Sequence, residues 1–106
     1  MRDFDAQQVA ADIQRVRPMT AESARQFIAR ASDMMEAANS ADSRPEAIAR
    51  RRRLVVDLES MDEVIQTSKI DQLPENAAAM LRRVVIRAVV ELRPCAEARR
   101  AVGIRG

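Results

Sequence analysis

Histidine is absent from the 106-residue chain, as are tryptophan and tyrosine, and phenylalanine occurs twice. The missing histidines remove Ser/His/Asp and Cys/His nucleophilic arrangements and imidazole-based acid/base work from consideration. A lone cysteine, Cys95, has no partner for an internal disulfide. It sits near an expected helix start, where a thiol pKa falls, but with no base or second thiol nearby in sequence it reads as a small apolar side chain. Two glycines and four prolines leave few sites for tight turns, which argues against a sandwich or barrel of short strands. No Gly-rich phosphate loop and no metal-ligand spacing occurs. Nor does any run approach 18 uncharged apolar residues, so no membrane span is expected. The start, MRDFDAQQ, lacks the apolar stretch of a secretory signal, and a cytoplasmic setting is expected.

What is present is 47% apolar residues, almost all aliphatic. Such a chain forms one domain over residues 1–106, with a core built from Leu, Ile, Val, Met and Ala. An all-α bundle is the economical fold. Methionines Met34, Met35, Met61 and Met80 fall on its expected apolar faces as gap fillers.

Helical spacing and cap residues divide the chain into five segments. Asp5 with Gln8 three residues on forms a capping-box pattern, Phe4 is placed to staple against Val9, and Val9, Ile13 and Val16 follow at helical spacing. Pro18 ends this short helix at Arg17. Thr20 caps a second helix, whose apolar positions Ala24, Phe27, Ile28, Ala31, Met34, Met35 and Ala38 keep the pattern without a break. After the turn Asn39–Asp42, the string Ser43, Arg44, Pro45, Glu46 signals a third helix to Thr67 or Lys69. Leu54, Leu58, Met61 and Ile65 mark its seam, widened by Val55, Val56 and Val64. The short connection makes helices two and three an antiparallel hairpin.

A fourth helix is expected from near Pro74 to about Arg93, and a short fifth from Pro94, with Gly103 as its C′ residue and Ile104 as the following hydrophobic contact. The fourth carries the most apolar run, Ala77 to Leu92. At about 100° per residue, Ala77, Met80, Leu81, Val84, Val85, Ala88, Val89 and Leu92 form one broad core stripe. A narrower stripe of Ala79, Ile86 and Val90 lies roughly opposite, flanked by Arg82 and Arg93 on one side and by Arg83 and Arg87 on the other. It is either covered by the segment after Pro94 or is a contact surface.

Charge is nearly balanced overall, at +2, but unevenly placed. Residues 74–106 hold seven Arg against three acids, and 17 of the 18 basic residues are Arg. Arg50, Arg51, Arg52 and Arg53 are consecutive, which spreads them around about 300° of a helix. Glu46 and Asp57 stand four residues from Arg50 and Arg53, the spacing of intrahelical pairs. No aromatic residue is interleaved for base stacking. A helix-turn-helix over residues 20–60 is disfavoured by the length of both helices and by a turn without glycine. Asp57, Glu59, Asp62 and Glu63 lack the histidines of a di-iron bundle and read as a solvated face.

The expectation is a non-enzymatic regulatory or adaptor protein with no cofactor or metal, of the type of a transcription-factor inhibitor, secretion chaperone or phage-borne regulator. It would bind a protein partner, a second copy of itself first among them, through Ala79, Ile86 and Val90 with Arg82, Arg83 and Arg87 at the rim. The runner-up is nucleic-acid binding through Arg50–Arg53 and the C-terminal Arg99, Arg100 and Arg105.

Overall fold

The computed structural model describes residues 5–105, with side chains described for residues 6–92. Four helices follow one another: α1 (Asp5–Arg15), α2 (Ala21–Ala41), α3 (Pro45–Ser68) and α4 (Glu75–Arg105). Among the described residues there is no strand, so the all-α bundle holds. Helices α2 and α4 each pack against all three of the others. At about 1.5 Å per residue α4 alone is roughly 46 Å long, which accounts for the 48 Å long axis of the molecule.

The core is aliphatic, as the composition requires. Val9 and Ile13 of α1, Ile28 and Met35 of α2, Leu58 of α3 and Leu81 and Val85 of α4 are buried together, with Phe27 as the one described aromatic. Alanines supply the close approaches: Ala24, Ala31 and Ala38 recur every seventh residue along the inner side of α2 and are all buried. A methyl group at these points lets facing backbones come near without leaving a gap.

Helix ends show where local chemistry agrees with the packing. Thr20 caps α2 as expected, its Oγ1 accepting the Ser23 N–H at 3.0 Å. α3 ends in a left-handed residue, Lys69 at φ 52°. Glycine would suit this position best, but both glycines of the chain lie after residue 102. Beyond it the two interhelical loops at this end of the bundle pair with each other. The Ala21 N–H donates to the Asp71 carbonyl at 2.8 Å and the Leu73 N–H to the Met19 carbonyl at 2.9 Å. Met19 and Leu73 are buried between them.

Several expectations need correction. There is no separate fifth helix: α4 runs through Pro94 and Gly103 to Arg105. Proline removes one N–H, the donor for the Val90 carbonyl, but the bias it imposes on the preceding residue is not a prohibition. The flanking Ala96, Glu97, Ala98, Arg99, Arg100 and Ala101 are strong helix formers. α1 stops at Arg15, two residues before the expected end. The start of α3 is not a capping box; Arg44 is the N-cap, with Pro45 at the first helical position and no side-chain cap. Within α4 the core stripe takes Ala78 in place of Met80, which is 55% exposed. Met80 stands about 100° around the helix from Leu81 and 140° from Val85, too far to follow them inward. On α3 the seam is narrower than its valines suggest, since Val55 is half-buried and Val56 and Val64 are exposed. Phe4 and Asp5 lie outside the residues whose side chains are described, while Gln8, the other half of the expected α1 capping box, donates its Nε2 to Asp12 Oδ1 at 2.8 Å.

The division between seam and surface sets an expectation for stability. Leu81→Ala, at a fully buried site, should cost about 2–5 kcal/mol. Val64→Ala, at a site 62% exposed, should change stability by less than about 0.5 kcal/mol. Chemical denaturation of the two variants followed by circular dichroism checks both figures.

Candidate functional site

α4 presents opposite sides to two environments. Inward are Ala78, Leu81, Val85, Ala88, Val89 and Leu92, all buried. Outward are Ala79, Met80, Arg83, Arg87 and Val90, all exposed, with Val90 at 50%. Ile86 sits at the boundary, half-buried and packed against the core. The narrow second stripe read from the sequence is therefore shifted: Ala79 and Val90 are on the free side, Ile86 on its edge, and Met80 joins them. Among the described residues neither Arg83 nor Arg87 has an ion-pair partner, and one helical turn separates them.

Arg82 has a different place. Its side chain is 13% exposed, and Nη2 donates to the Val16 carbonyl at 3.0 Å, just beyond the end of α1. A guanidinium at a helix C-terminus meets carbonyls that lack intrahelical donors. Nη1 also lies 3.7 Å from Glu75, but that carboxylate is in water and adds little. Arg82 thus fastens α1 to α4 and does not belong to the outward rim.

The arginine run is divided among three environments. Arg50 crosses to α4, where Nε donates to Glu91 Oε1 at 2.6 Å. Arg51 is 2% exposed, the one buried charge among the described residues. Its Nε donates to Asn39 Oδ1 at 2.8 Å and its Nη2 to the Asp42 carbonyl, while Nη1 lies 3.9 Å from the Asp42 carboxylate. Arg52 borders a groove of about 310 Å³ between α2 and α3, and Arg53 faces solvent. The expected i, i+4 pairs with Glu46 and Asp57 do not form. Arg99, Arg100, Arg105 and Cys95 lie outside the residues whose side chains are described.

The Asp42 carboxylate is held by Arg44 through the backbone N–H, Nε and Nη2 at 3.3, 2.8 and 2.7 Å. These bonds, the side-chain ones foremost, pull its pKa from 3.8 down to about 2, with the charge of Arg51 helping. Asp12 is lowered too, first by the hydrogen bond from Gln8 and then by Arg30. Both arrangements hold helices or turns in place.

Little else has the makings of a reactive site. Asp62 is drawn out of the acidic group on α3 by Arg25 at 3.0 Å. Among the described residues no group of three or more His, Cys, Asp or Glu is placed to hold a metal ion. The larger groove, about 800 Å³ between the start of α2 and the end of α3, is bridged by that Arg25–Asp62 pair. No helix among the described residues is long and apolar enough to cross a membrane. Compared with known proteins, the chain matches no family model, no curated protein and no solved structure.

The knot of Asn39, Asp42 and Arg51 was not anticipated from the sequence, although a signal for it exists. Arg51 stands three residues before Leu54 and seven before Leu58, on the same buried seam, and two side chains able to accept its hydrogen bonds lie just upstream. They are Asn39 in the last turn of α2, which runs on through the expected turn to Ala41, and Asp42 at its C-cap. Arg51→Ala should destabilise the fold by about 2–4 kcal/mol, because it opens a cavity and leaves buried acceptors unpaired. Arg52→Ala should cost under about 0.5 kcal/mol.

The depressed pKa of Asp42 adds a pH signature. Its contribution is complete above the unfolded-state value near 4 and is lost as pH falls through the folded value of about 2. The melting-temperature difference between the parent and Asp42→Asn should therefore be constant at neutral pH and shrink between about pH 4 and pH 2, as read by thermal melts across that range.

Proposed function

We propose that the protein is a small regulatory or adaptor protein that works by binding another protein through the outward side of α4. The observation that carries this is the composition of that side. Ala79, Met80 and Val90 offer apolar area, and Arg83 and Arg87 stand among them with no ion pair to any described residue. Methionine and arginine are residue types enriched where proteins meet, and burial of such a patch is favourable in proportion to its apolar area. Ile86 extends the patch at its edge.

A nucleic-acid reading is weaker on the same observations. Arg51 is buried and Arg50 is paired, so the run of four cations reduces to Arg52 and Arg53 on different sides of α3. No histidine or metal cluster among the described residues favours an enzyme. A cytoplasmic setting suits a chain with a single cysteine.

Photocrosslinking tests the reading directly. A benzophenone amino acid placed at residue 83 or 87 should yield a discrete protein adduct when the chain is expressed in its native cells and irradiated. The same probe at Asp33, exposed on α2, should not. Val90→Asp should abolish the adduct while shifting the melting temperature by no more than a degree or two, as suits an exposed site. Equal labelling from residues 33, 83 and 87 would show that the side of α4 is not a binding face.

A further inference from the structure

Resting on that reading of α4, we propose that its occupant is α3 of a second copy of this chain, so that two copies join by reciprocal, antiparallel α3-to-α4 contacts. The exposed side of α3 carries Arg53, Val56, Asp57, Ser60, Glu63 and Val64, with Val56 52% and Val64 62% exposed. Like α4, it has two apolar residues about two to three turns apart with charge between them. Between the apolar residues the sign is opposite, with Asp57 and Glu63 on α3 and Arg83 and Arg87 on α4, while Arg53 stands one turn outside the α3 pair. Among the described residues Asp57, Glu63, Arg83 and Arg87 all lack an ion-pair partner.

The spacings match when one helix is reversed. Laid antiparallel, Val56 falls opposite Val90, Asp57 opposite Arg87, Glu63 opposite Arg83 and Val64 opposite Met80. Val56 to Val64 spans about 12 Å and Met80 to Val90 about 15 Å, a difference that a methionine and two long arginines absorb. Ser60, small and central, lets the helices approach. Pairing of like helices is opposed by charge, since α4 on α4 sets arginines against arginines and α3 on α3 sets acids against acids.

Within one copy α3 and α4 already lie side by side and antiparallel, tied by Arg50 and Glu91. A twofold axis along the groove between them brings α3 of each copy onto α4 of the other. The contact is then made twice and closes on itself. Two helix faces of this length give a footprint of roughly 600 Å² per copy, under the ~800 Å² of a standard interface. A footprint at this low end of the size range suits a weak dimer that dissociates at roughly micromolar concentration.

The test is a charge exchange read by solution mass. Wild-type protein should sediment at twice 11.9 kDa at about 100 µM and at 11.9 kDa near 1 µM. Arg83→Glu with Arg87→Glu should be monomeric at the higher concentration, as should Asp57→Arg with Glu63→Arg, because each puts like charges across both contacts. An equimolar mixture of the two variants should regain the dimer, and so should a single chain carrying all four changes. Circular dichroism and melting checks each variant's fold; where a pair of changes unfolds the chain, Arg87→Glu and Asp57→Arg alone make the same exchange.

A wild-type monomer at 100 µM overturns the proposal, as does a dimer that survives both reversals or two monomeric variants that fail to restore it when mixed. The photocrosslink separates the two levels of inference. A foreign adduct from residues 83 and 87 with a monomeric chain ends the second-copy proposal and leaves the binding face standing. Absence of any adduct ends both.

Discussion

The guanidinium of Arg51 is the constraint on which the rest of the structure depends. A charge taken out of water is tolerated only when its donors are matched, and here the match is made by Asn39 in the last turn of α2 and by Asp42, its C-cap, just before α3. Once Arg51 is inward, the orientation of α3 is set. The next residues follow at about 100° steps: Arg50 points to α4 and meets Glu91, Arg52 borders the groove with α2, and Arg53 points to water. A sequence feature that suggests one basic patch becomes a buried anchor, an interhelical tie and two surface charges.

The same logic runs through the molecule's other arginines. Arg82 pins the end of α1 by a carbonyl, Arg25 and Arg30 reach from α2 to Asp62 and Asp12, and Arg44 closes on Asp42. Planar guanidinium groups that donate several bonds at once suit this work better than an ammonium does. It also compensates for what the chain lacks. With few aromatics to interlock helices and no glycine in the described turns, directional bonds to carbonyls and carboxylates fix the helix ends. The pairing of Met19–Ala21 with Asp71–Leu73 does the same with backbone groups alone. Against this background Arg83 and Arg87, like Arg15, Arg52 and Arg53, stand out as arginines with no ion-pair partner among the described residues.

Much of the fold was legible in the sequence. α2 was read with its cap and its whole buried side because a single inner face, with Ala24, Phe27, Ile28, Ala31, Met35 and Ala38, repeats without interruption. What failed has identifiable physical causes. Pro94 carries a strong local bias against helix, and a continuous run of helix formers outweighed it. The string Ser43 to Glu46 matches a capping box, but Asp42 one residue upstream turns its carboxylate to Arg44, and the helix starts one residue later than the box requires. Met80 and Ala78 differ by 200° around α4; apolar character alone favoured the methionine, whereas the packing had room for a methyl group. The candidate site was half legible. Ala79, Arg83, Arg87 and Val90 were placed on one side by periodicity, but the roles of Arg82 and Ile86 depend on where α1 and the core lie, which no spacing within α4 encodes.

The long helix illustrates how one element serves two surfaces without conflict. Its inner side is closed by fully buried leucine, valine and alanine, so the bundle gains nothing from Met80 or Val90. Their exposure costs solubility, and a pair of arginines beside them offsets that cost while leaving the surface able to desolvate against a complementary one. An acidic, valine-bearing side on α3 supplies the opposite sign on the adjacent helix of the same molecule. Attraction between these two surfaces cannot be satisfied within one copy, because α3 and α4 are already locked side by side with both surfaces turned outward. In the proposed dimer, that geometry would turn an internal complementarity into an intermolecular one.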